Sequence, residues 1–500
     1  MALWESSAIV ETTLGRLQGV IENTVYVWKG IAFAKPPVGE HRFCAPRPPD
    51  PWAGVRDATR FGAPCIQLPF FSRIDAPIVG SEDCLTLNVW SPAPDEKRRP
   101  VLVWIHGGGW VMGSGSAYDG SLLAARGDVV IVTLNYRLGP WGFLYLKDID
   151  GQSVSDSANL GVLDIVAALR WVASNIGRFG GDAQNVTLAG QSAGGMLVGT
   201  LLAVPAAGGL FHRAVALSGA ARNVRNREIA TEIAQDLLGR AGLSRSRVND
   251  LRGISAEQLY RAGAQLLAAS ANDVLDVEPF LPVIDEAVLP VHPTRAIADG
   301  ASREIPLLIL TARDEMTIMV PECPEVLSGK EAFIRRQLGE ARFSELLETY
   351  RRIKEPTRDA RLELLNGTMF WIPAVRLAEA VCSAEGRVWM MRMDYRLSVP
   401  PFNEVGATHL TDVLLLFEAF SNWGKTVAQA GTLEDKAVAD GFQRLILGFA
   451  RAGRPGSRRI PEWPQYDAQA RPTLIFDSRC RVEDDPLSEQ RTAWDGIPLH

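Results

Sequence analysis

The chain has 500 residues, of which 47% are hydrophobic and 22% are charged, and its formal net charge at pH 7 is −6. This is the composition of an ordinary globular protein that is long enough to bury a large core. Because the sequence has no basic stripe and no basic amphipathic helix, it argues against nucleic acid and anionic membranes as partners.

The N-terminal residues, MALWESSAIVETTLG, have neither a positively charged start nor an apolar core, so no secretory signal is predicted. No apolar run approaches the roughly 18 residues of a membrane helix, and we expect a cytoplasmic protein. Cys65 and Cys84 are close enough in sequence to pair, but thiols in the cytoplasm more often stay reduced. Zinc-ligand spacing, HExxH and the P-loop are all absent, so no metal site is predicted.

Predicted strands and helices alternate along most of the chain. The first 60 residues alternate apolar and polar positions until prolines interrupt them, which predicts short strands joined by turns. Further strands are predicted in CLTLNVWSP, VLVWIHG, VVIVTLNYRLG, NVTLAG, RAVALSG and IPLLILTARDE. Between them, LGVLDIVAALRWVASNIGRFGG has apolar residues at helical spacing. This alternation predicts an α/β fold with a large, mostly parallel sheet flanked by helices.

Two stretches, at about 225–280 and 328–382, are helical in pattern and more polar, and we interpret both as insertions or caps. Length alone, at roughly 150 residues per domain, suggests two to four domains. No internal repeat, low-complexity segment or flexible linker divides the chain, however. We therefore predict a single domain over residues 1–500.

A serine lies between two glycines in GQSAG, where a predicted strand meets a predicted helix. In this G-x-S-x-G pattern a sharp turn strains the backbone of Ser192, and Gly190 and Gly194 let the chain pass close to it. The turn exposes the hydroxyl and leaves the Ala193 N–H unpaired at the helix start, where it can stabilise an oxyanion. We predict that Ser192 is a nucleophile.

Three consecutive glycines, 107 to 109, follow directly after the predicted strand VLVWI. Their N–H groups can approach a ligand without interference from side chains. Together with Ala193 they would supply two or three donors to a tetrahedral oxyanion. A flexible turn is the alternative, which the downstream serine turn makes the weaker one.

Several long motifs occur in an order that resembles one family. They are GIAFAKPPVGEHRF, SEDCLTLNVW, VWIHGGGW, NYRLGPWGFL, the stretch from ANLGVLDI to GQSAGG, LFHRAVALSG, WPQYDAQARPTLIFD and TAWDGIPL. Over nearly its whole length the chain resembles the type-B carboxylesterases, the bacterial and animal serine esterases that include the cholinesterase-like proteins. The resemblance implies an α/β-hydrolase fold with a helical cap over an active-site gorge, and hydrolysis of carboxylic esters without a cofactor.

A serine nucleophile needs a base, usually histidine, that a carboxylate orients. In this fold the chain order is serine, acid, histidine. Five of the six histidines are poor candidates for the base. His41 and His106 precede the serine, and His212 follows it too closely to leave room for an acid. His292 lies in a loop with prolines on both sides, and His500 is the last residue. His409, which precedes the apolar run VLLLF, remains and matches the family's base.

The acid should follow a strand between the serine and the histidine. IPLLILTARDEMTIM offers Asp314 and Glu315, and the residues alone do not separate them. The resemblance implies that Glu315 is the triad acid and leaves Asp314 as the runner-up. Met316 replaces the glycine expected after the acid.

Other positions take their interpretation from the resemblance. Ser218 resembles a serine that partners the triad acid, with a plain strand-end serine as an equal alternative. Gln191 stands where the family more often has glutamate, which weakens any preference for cationic substrates. Possible pocket residues, with core packing as the alternative, are Trp110, Met112, Phe370 and Trp371. Structural ion pairs are expected for Arg42 with Glu82 and for Arg137 with Asp164.

The implied reaction is acyl transfer to Ser192, followed by hydrolysis of the acyl-enzyme. The implied oxyanion donors are the N–H groups of Gly108, Gly109 and Ala193. No tryptophan between residues 65 and 84 could receive a quaternary ammonium, so cholinesterase activity is not expected. The alternatives are an amidase or carbamate hydrolase, a lipase, and a non-catalytic cholinesterase-like binding protein. The expected partner is a small-molecule ester, and we expect a monomer or a small homo-oligomer.

Overall fold

The structure is a computed structural model that describes residues 8–69, 77–150, 158–272, 278–318, 324–353, 359–400, 402–418, 431–456 and 460–497. Its strands are β1 (Ala8–Glu11), β2 (Arg16–Glu22), β3 (Val25–Ala32), β4 (Val55–Asp57), β5 (Thr86–Ser91), β6 (Arg99–Ile105), β7 (Val130–Leu134), β8 (Gly181–Gln191), β9 (Arg213–Leu217), β10 (Leu307–Ala312), β11 (Val388–Met393), β12 (Pro472–Phe476) and β13 (Arg481–Asp484).

The α-helices of the described residues follow in chain order. They are α1 (Ser121–Gly127), α2 (Gly139–Phe143), α3 (Lys147–Asp150), α4 (Leu160–Asn175), α5 (Ala193–Leu201), α6 (Arg227–Arg240), α7 (Ala256–Asn272), α8 (Pro293–Ala298), α9 (Pro324–Leu338), α10 (Glu340–Ile353), α11 (Ala360–Asn366), α12 (Ile372–Ser383), α13 (Phe402–Val405), α14 (Thr411–Phe417), α15 (Leu433–Ala452) and α16 (Ser488–Ala493).

All of these strands belong to one sheet, in the order β1-β2-β3-β5-β7-β6-β8-β9-β10-β11-β12-β13, with β4 beside β2. From β7 across to β12 every neighbouring pair is parallel. The pairs from β1 to β7 and the pair β12–β13 are antiparallel. The α/β architecture with a large, mostly parallel sheet is thereby confirmed. Strands β7, β10 and β11 are buried along their full length, as expected when helices cover both faces.

The parallel strands bring four chemistry-bearing segments to one edge of the sheet. The glycine run follows β6, Ser192 follows β8, Ser218 follows β9 and Glu315 comes shortly after β10. These strands are successive neighbours, and the carboxyl ends of parallel strands lie at the same edge. The topology therefore gathers residues that are far apart in sequence.

The pattern analysis misses the last three strands of the sheet. The sequence of β11, VWMMRM, is buried throughout but has no alternation and is rich in methionine, which favours helices. Strands β12 and β13 lie in the C-terminal region, where only family motifs stand out. The sheet therefore extends further than local periodicity indicates.

The stretches predicted as helical excursions contain helices in the described residues. The first includes α6 and α7, and the second includes α9 to α12 together with a π-helical turn at Gly367–Trp371. In the π turn, Phe370 and Trp371 are buried. A single domain over residues 1–500 stays a prediction.

Both predicted ion pairs are present in the core. Arg137 Nη2 lies 2.7 Å from Asp164 Oδ1, and the Asp164 side chain is fully buried. Arg42 Nη2 lies 2.5 Å from Glu82 Oε1, and both side chains are largely buried. Replacing one partner of such a buried, bidentate ion pair lowers the stability of the fold, because the charge of the other partner is left buried and unpaired.

Two further features of the sequence have a structural outcome. Cys65 and Cys84, which a cytoplasmic location would favour as thiols, are joined in a disulfide with their Cα atoms 4.9 Å apart. One described helix, Leu160–Phe179, is long and apolar enough to cross a membrane by length and composition. Of its most apolar window, 67% is buried inside the protein, which is typical of a core helix.

Candidate active site

The serine turn lies between β8 and α5. Ser192 has φ 57° and ψ −128°, which lies outside the helical and extended regions. Such a conformation in a non-glycine residue costs about 1–3 kcal/mol. Backbone hydrogen bonds hold it, because the Ser192 N–H donates to Leu217 O at 2.9 Å and Ser192 O accepts from the Met196 N–H at 2.8 Å. The strained strand-to-helix turn expected from G-x-S-x-G is present.

The flanking glycines are required by close packing against β6. A Cβ atom on Gly194 would lie 2.1 Å from Ile105 O, and one on Gly190 would lie 2.5 Å from Gly194 O. Both contacts are with backbone atoms, which cannot move aside as a flexible side chain can. The glycine spacing therefore follows from the approach of β8 and α5 to the end of β6.

The glycine loop after β6 lies directly against the serine turn. A Cβ atom on Gly107 would lie 3.0 Å from Ser192 Cβ. Gly108 and Gly109 have φ 111° and 60°, a region that favours glycine. Within the described ranges, no acceptor takes a hydrogen bond from either of their N–H groups, and the Ala193 N–H at the start of α5 has no intrahelical partner. The expected oxyanion donors therefore lie on the two segments that adjoin Ser192.

A buried histidine–carboxylate pair lies at the same edge of the sheet. His409 Nδ1 is 2.6 Å from Glu315 Oε2, and the two side chains are 6% and 1% exposed. Glu315 begins the 3₁₀ turn Glu315–Ile318, and its Oε1 accepts a hydrogen bond from the Ala312 N–H at 2.7 Å. Because each carboxylate oxygen has a hydrogen-bond partner, the carboxylate has a fixed orientation and orients the imidazole through Nδ1. The other ring nitrogen, Nε2, is then available for proton transfer. The Ser192 hydroxyl makes no hydrogen bond to a described side chain, and such bonds often tighten only around substrate.

The neighbouring carboxylate, Asp314, has different partners. Its Oδ2 accepts a hydrogen bond from the Ala407 N–H at 3.0 Å, and its own N–H donates to Ala407 O at 2.9 Å. Thr317 Oγ1 donates to Val405 O in the same region, at 2.6 Å. Of the two adjacent acids, Glu315 therefore contacts the imidazole, whereas Asp314 braces the loop that carries His409.

Gln191 connects the serine turn to the histidine loop. Its side chain is buried, and Nε2 donates a hydrogen bond to His409 O at 2.5 Å. From the sequence, this glutamine is expected to remove a negative charge beside the nucleophile and to alter the position of water in deacylation. The structure adds a positive role, because an ionised glutamate has no proton to donate at this position.

Ser218 has a partner that the sequence analysis does not identify. Its hydroxyl donates to Asp412 Oδ2 at 3.4 Å, whereas the resemblance implies the triad acid as its partner. Asp412 lies in the first turn of α14 and is fully buried. In the sequence, Asp412 could have been noticed as a lone acidic residue three positions after His409, at the start of an apolar run.

The possible pocket residues are placed in different surroundings. The ring centroids of Phe370 and His409 are 5.0 Å apart. Met112 adjoins the glycine loop, because its Cγ would lie 2.9 Å from a Cβ atom on Gly108. Trp110, Phe370 and Trp371 are all buried in the main hydrophobic core, as the core-packing alternative expects.

The remaining histidines have other partners. Burial lowers the pKa of His106 to about 4, and its Nδ1 lies 2.8 Å from Gly107 O. His212 Nδ1 accepts a hydrogen bond from the Val186 N–H, and His292 caps α8. His41 is partly exposed and lies 3.9 Å from the exposed Glu40, while His500 lies outside the described residues.

Comparisons with known proteins identify the family of the chain. The model of the carboxylesterase family matches residues 6–494. The chain is 41% identical to para-nitrobenzyl esterase of Bacillus subtilis over 490 residues, which cover 97% of each protein. It is 32% identical to carboxylesterase 1E of Rattus norvegicus, with 92% of this chain and 89% of the relative covered. A crystal structure of a Geobacillus stearothermophilus carboxylesterase is similar with a TM-score of 0.85 and 39% identity, covering 97% of this chain and 100% of that one.

Proposed function

This chain belongs to the carboxylesterase family and is a carboxylic ester hydrolase of the α/β-hydrolase fold, and we propose that Ser192, His409 and Glu315 are its catalytic triad. The observation that carries the proposal is the buried pair of His409 Nδ1 and Glu315 Oε2 at 2.6 Å. Gln191, the residue before the serine, binds the carbonyl of that histidine. The base is thereby tied to the turn that carries the nucleophile.

The proposed reaction has two half-reactions. Ser192 Oγ attacks the ester carbonyl while His409 Nε2 accepts the hydroxyl proton. Charge develops on the carbonyl oxygen, where three backbone N–H groups, from the glycine loop and from Ala193, would stabilise it by about 3 kcal/mol each. Glu315 stabilises the imidazolium, which protonates the departing alcohol. Water then attacks the acyl-enzyme by the same proton transfers, which releases the acid and restores Ser192.

Two measurements test this proposal. We expect turnover of p-nitrophenyl esters from acetate to decanoate, and the best chain length will size the acyl pocket. A fluorophosphonate reagent should then abolish turnover and add one mass label, which peptide mapping should place on Ser192. A label on another serine, with activity lost, would assign the nucleophile elsewhere. Turnover of anilides or carbamates in preference to esters would favour the amidase or carbamate alternative.

Gly108→Ala should lower kcat/KM by about 10²- to 10³-fold, the usual loss for a disturbed oxyanion donor. The added Cβ would lie 2.2 Å from Met112 O, and φ is 111° at this position. The loop must therefore move away from Ser192. Steady-state kinetics on p-nitrophenyl acetate measures the loss.

The matched control is Gly209→Ala, because Gly209 also has a positive φ, 76°, but no atom of the described residues lies within 4 Å of an added Cβ. It should carry a similar backbone strain and keep its activity. Equal losses of kcat/KM in the two variants would show that strain alone, and not the position of the N–H groups, causes the effect.

Gln191→Glu should lower kcat/KM about tenfold at pH 8 and less at pH 6. A carboxylate has no proton to donate to His409 O, and an unsatisfied buried acceptor costs about 1–3 kcal/mol. Glutamic acid can donate through its hydroxyl, so activity should recover as the pH falls. Gln191→Met, which can neither donate nor ionise, is the control and should show a loss that does not vary with pH. A constant loss in Gln191→Glu would contradict the role of the hydrogen bond.

We also propose that the substrates are small, uncharged esters. Gln191 leaves no negative charge beside the nucleophile, and no tryptophan lies between residues 65 and 84 to receive a quaternary ammonium. The absence of a basic stripe in the sequence argues against large anionic partners. A cytoplasmic location, a bacterial source and a monomer or small homo-oligomer stay predictions.

A further inference from the structure

One buried carboxyl group near the proposed triad has no part in the mechanism above. Asp412 is fully buried. Its Oδ1 accepts a hydrogen bond from the Val413 N–H at 2.8 Å, and its Oδ2 accepts one from Ser218 Oγ at 3.4 Å. The second of these bonds is long, so the two hydrogen bonds compensate only partly for the hydration that the carboxyl group loses on burial.

Asp435 shows what a buried aspartate in this protein receives when it is ionised. Its carboxylate accepts hydrogen bonds from the hydroxyls of Tyr395 and Thr432 at 2.8 and 2.9 Å, and from the backbone N–H groups of Ser398 and Thr432 at 3.1 and 2.7 Å. The Ser398 hydroxyl adds a further bond. Its pKa lies below the usual range, since these bonds outweigh burial. Asp412 has no comparable set of donors among the described residues.

The titratable groups around Asp412 add a second reason for it to hold a proton. Asp412 interacts electrostatically with Glu315 in the segment after β10 and with His409 in the loop before α14. The charge of Asp412 also affects the pKa of Tyr118. Burial, and after it the charge of Glu315, raise the pKa of Asp412 to about 7, against the opposite effects of His409 and the two hydrogen bonds. Two carboxylates that share a dry site cannot both ionise at low cost.

We propose that Asp412 is a positioning residue that stays a neutral carboxylic acid on the acidic side of neutral pH, so that Glu315 alone carries negative charge beside His409 in that range. The proposal rests on the triad proposed above. An ionised Asp412 would add a second negative charge near the imidazole and stabilise the imidazolium, which cannot accept the Ser192 proton. A neutral Asp412 therefore keeps the base in its working form.

The first test compares the pH dependence of kcat/KM for wild type and Asp412→Asn with p-nitrophenyl acetate between pH 5 and 9. Asparagine has the shape of aspartic acid and never ionises. We expect the acidic limb of the profile to stay in place, because the variant replaces one neutral group by another. An ionised carboxylate at this position would instead be worth about one pH unit, the coupling typical of interacting sites. At pH 6 the variant should then be as active as the wild type.

The control is Asp435→Asn, which removes a buried charge outside the site. It should lower the Tm and leave the acidic limb in place. If Asp412→Asn moves the limb to lower pH by about one unit, or lowers kcat/KM a hundredfold at every pH, then Asp412 acts as an ion and the proposal is overturned.

A second readout does not depend on activity. Infrared difference spectra of the wild type should contain the C=O band of a protonated carboxyl that is lost as the pH rises through about 7 and is absent in Asp412→Asn. Ser218→Ala removes a bond to the carboxylate form and should move this loss to higher pH. If Asp412→Asn does not fold, wild type and Ser218→Ala still decide the question. Absence of the band in wild type at pH 5 overturns the proposal, whereas an active Ser192→Ala variant would overturn only the triad.

The stability of the folded protein should also depend on the protonation of Asp412. Because the pKa of Asp412 is raised from 3.8 to about 7 on folding, the folded protein binds more protons than the unfolded chain between these values. Wild-type stability should therefore fall as the pH rises through this window. Asp412→Asn lacks this loss, so its Tm relative to wild type should rise between pH 5 and 8. A constant difference in Tm would contradict the proposal.

Discussion

Ser192→Ala should lower kcat/KM for p-nitrophenyl acetate by about 10⁵- to 10⁶-fold, the loss found when a serine hydrolase is deprived of its nucleophile. Without the hydroxyl no acyl-enzyme can form, and His409 has no proton to accept. The glycine loop and the Ala193 N–H still bind the developing oxyanion, so a residual acceleration over water should remain. Stopped assays with the ester at concentrations well below KM measure both the loss of kcat/KM and the residual activity.

The fold should survive this substitution. Alanine can take the strained conformation at position 192 as well as serine does, because the backbone hydrogen bonds to Leu217 and Met196 hold it. Wild-type Tm in the variant is therefore expected. Ser383→Ala, which removes a serine from the exposed end of α12, should keep full activity. Turnover by Ser192→Ala above one hundredth of wild type would contradict the assignment.

Glu315→Gln is expected to lower kcat by about 10³- to 10⁴-fold with little change in KM, as when a triad carboxylate is replaced by its amide. The wild-type carboxylate accepts a hydrogen bond from His409 Nδ1–H at 2.6 Å. An amide can turn its NH₂ group to the ring, which places the ring proton on Nε2 and leaves no acceptor for the Ser192 proton. The lost charge also leaves the imidazolium without its counter-ion.

Asp314→Asn is the matched control, because it makes the same chemical change one residue away. The asparagine oxygen can still accept the hydrogen bond from the Ala407 N–H that Asp314 Oδ2 accepts now. We expect less than about a tenfold loss of kcat, because the acceptor is kept and only its charge is removed. The assignment of the acid to Glu315 is wrong if Asp314→Asn loses as much activity as Glu315→Gln.

The sequence alone cannot choose between Asp314 and Glu315 as the acid. ARDEM places two carboxylates side by side after a strand, and nothing local separates them. The resemblance favoured Glu315, and the structure places that side chain against the imidazole. The choice depends on the loop around His409, 94 residues further along the chain. Ser218 is a related case, because its partner Asp412 lies on a helix 194 residues away.

Other features were readable because they are local. The strained turn at Ser192 and the run of glycines that adjoins it depend on a few consecutive residues whose backbone geometry demands glycine. The strands of the parallel sheet up to β10 appeared as apolar runs, since burial on both faces excludes polar residues. β11 escaped notice because its methionines have no strand-like pattern, although the sheet buries them completely.

The sequence by itself therefore determined the fold class, the nucleophile turn and the short set of histidines and acids from which a triad could be built. Only the tertiary structure decided which acid contacts His409, that Gln191 donates to the carbonyl of that histidine, and that Asp412 is buried with a hydrogen bond from Ser218. The physical reason is that strand and turn formation depends on neighbouring residues, whereas hydrogen bonding and burial in the site depend on loops that meet only when the parallel strands align their carboxyl ends.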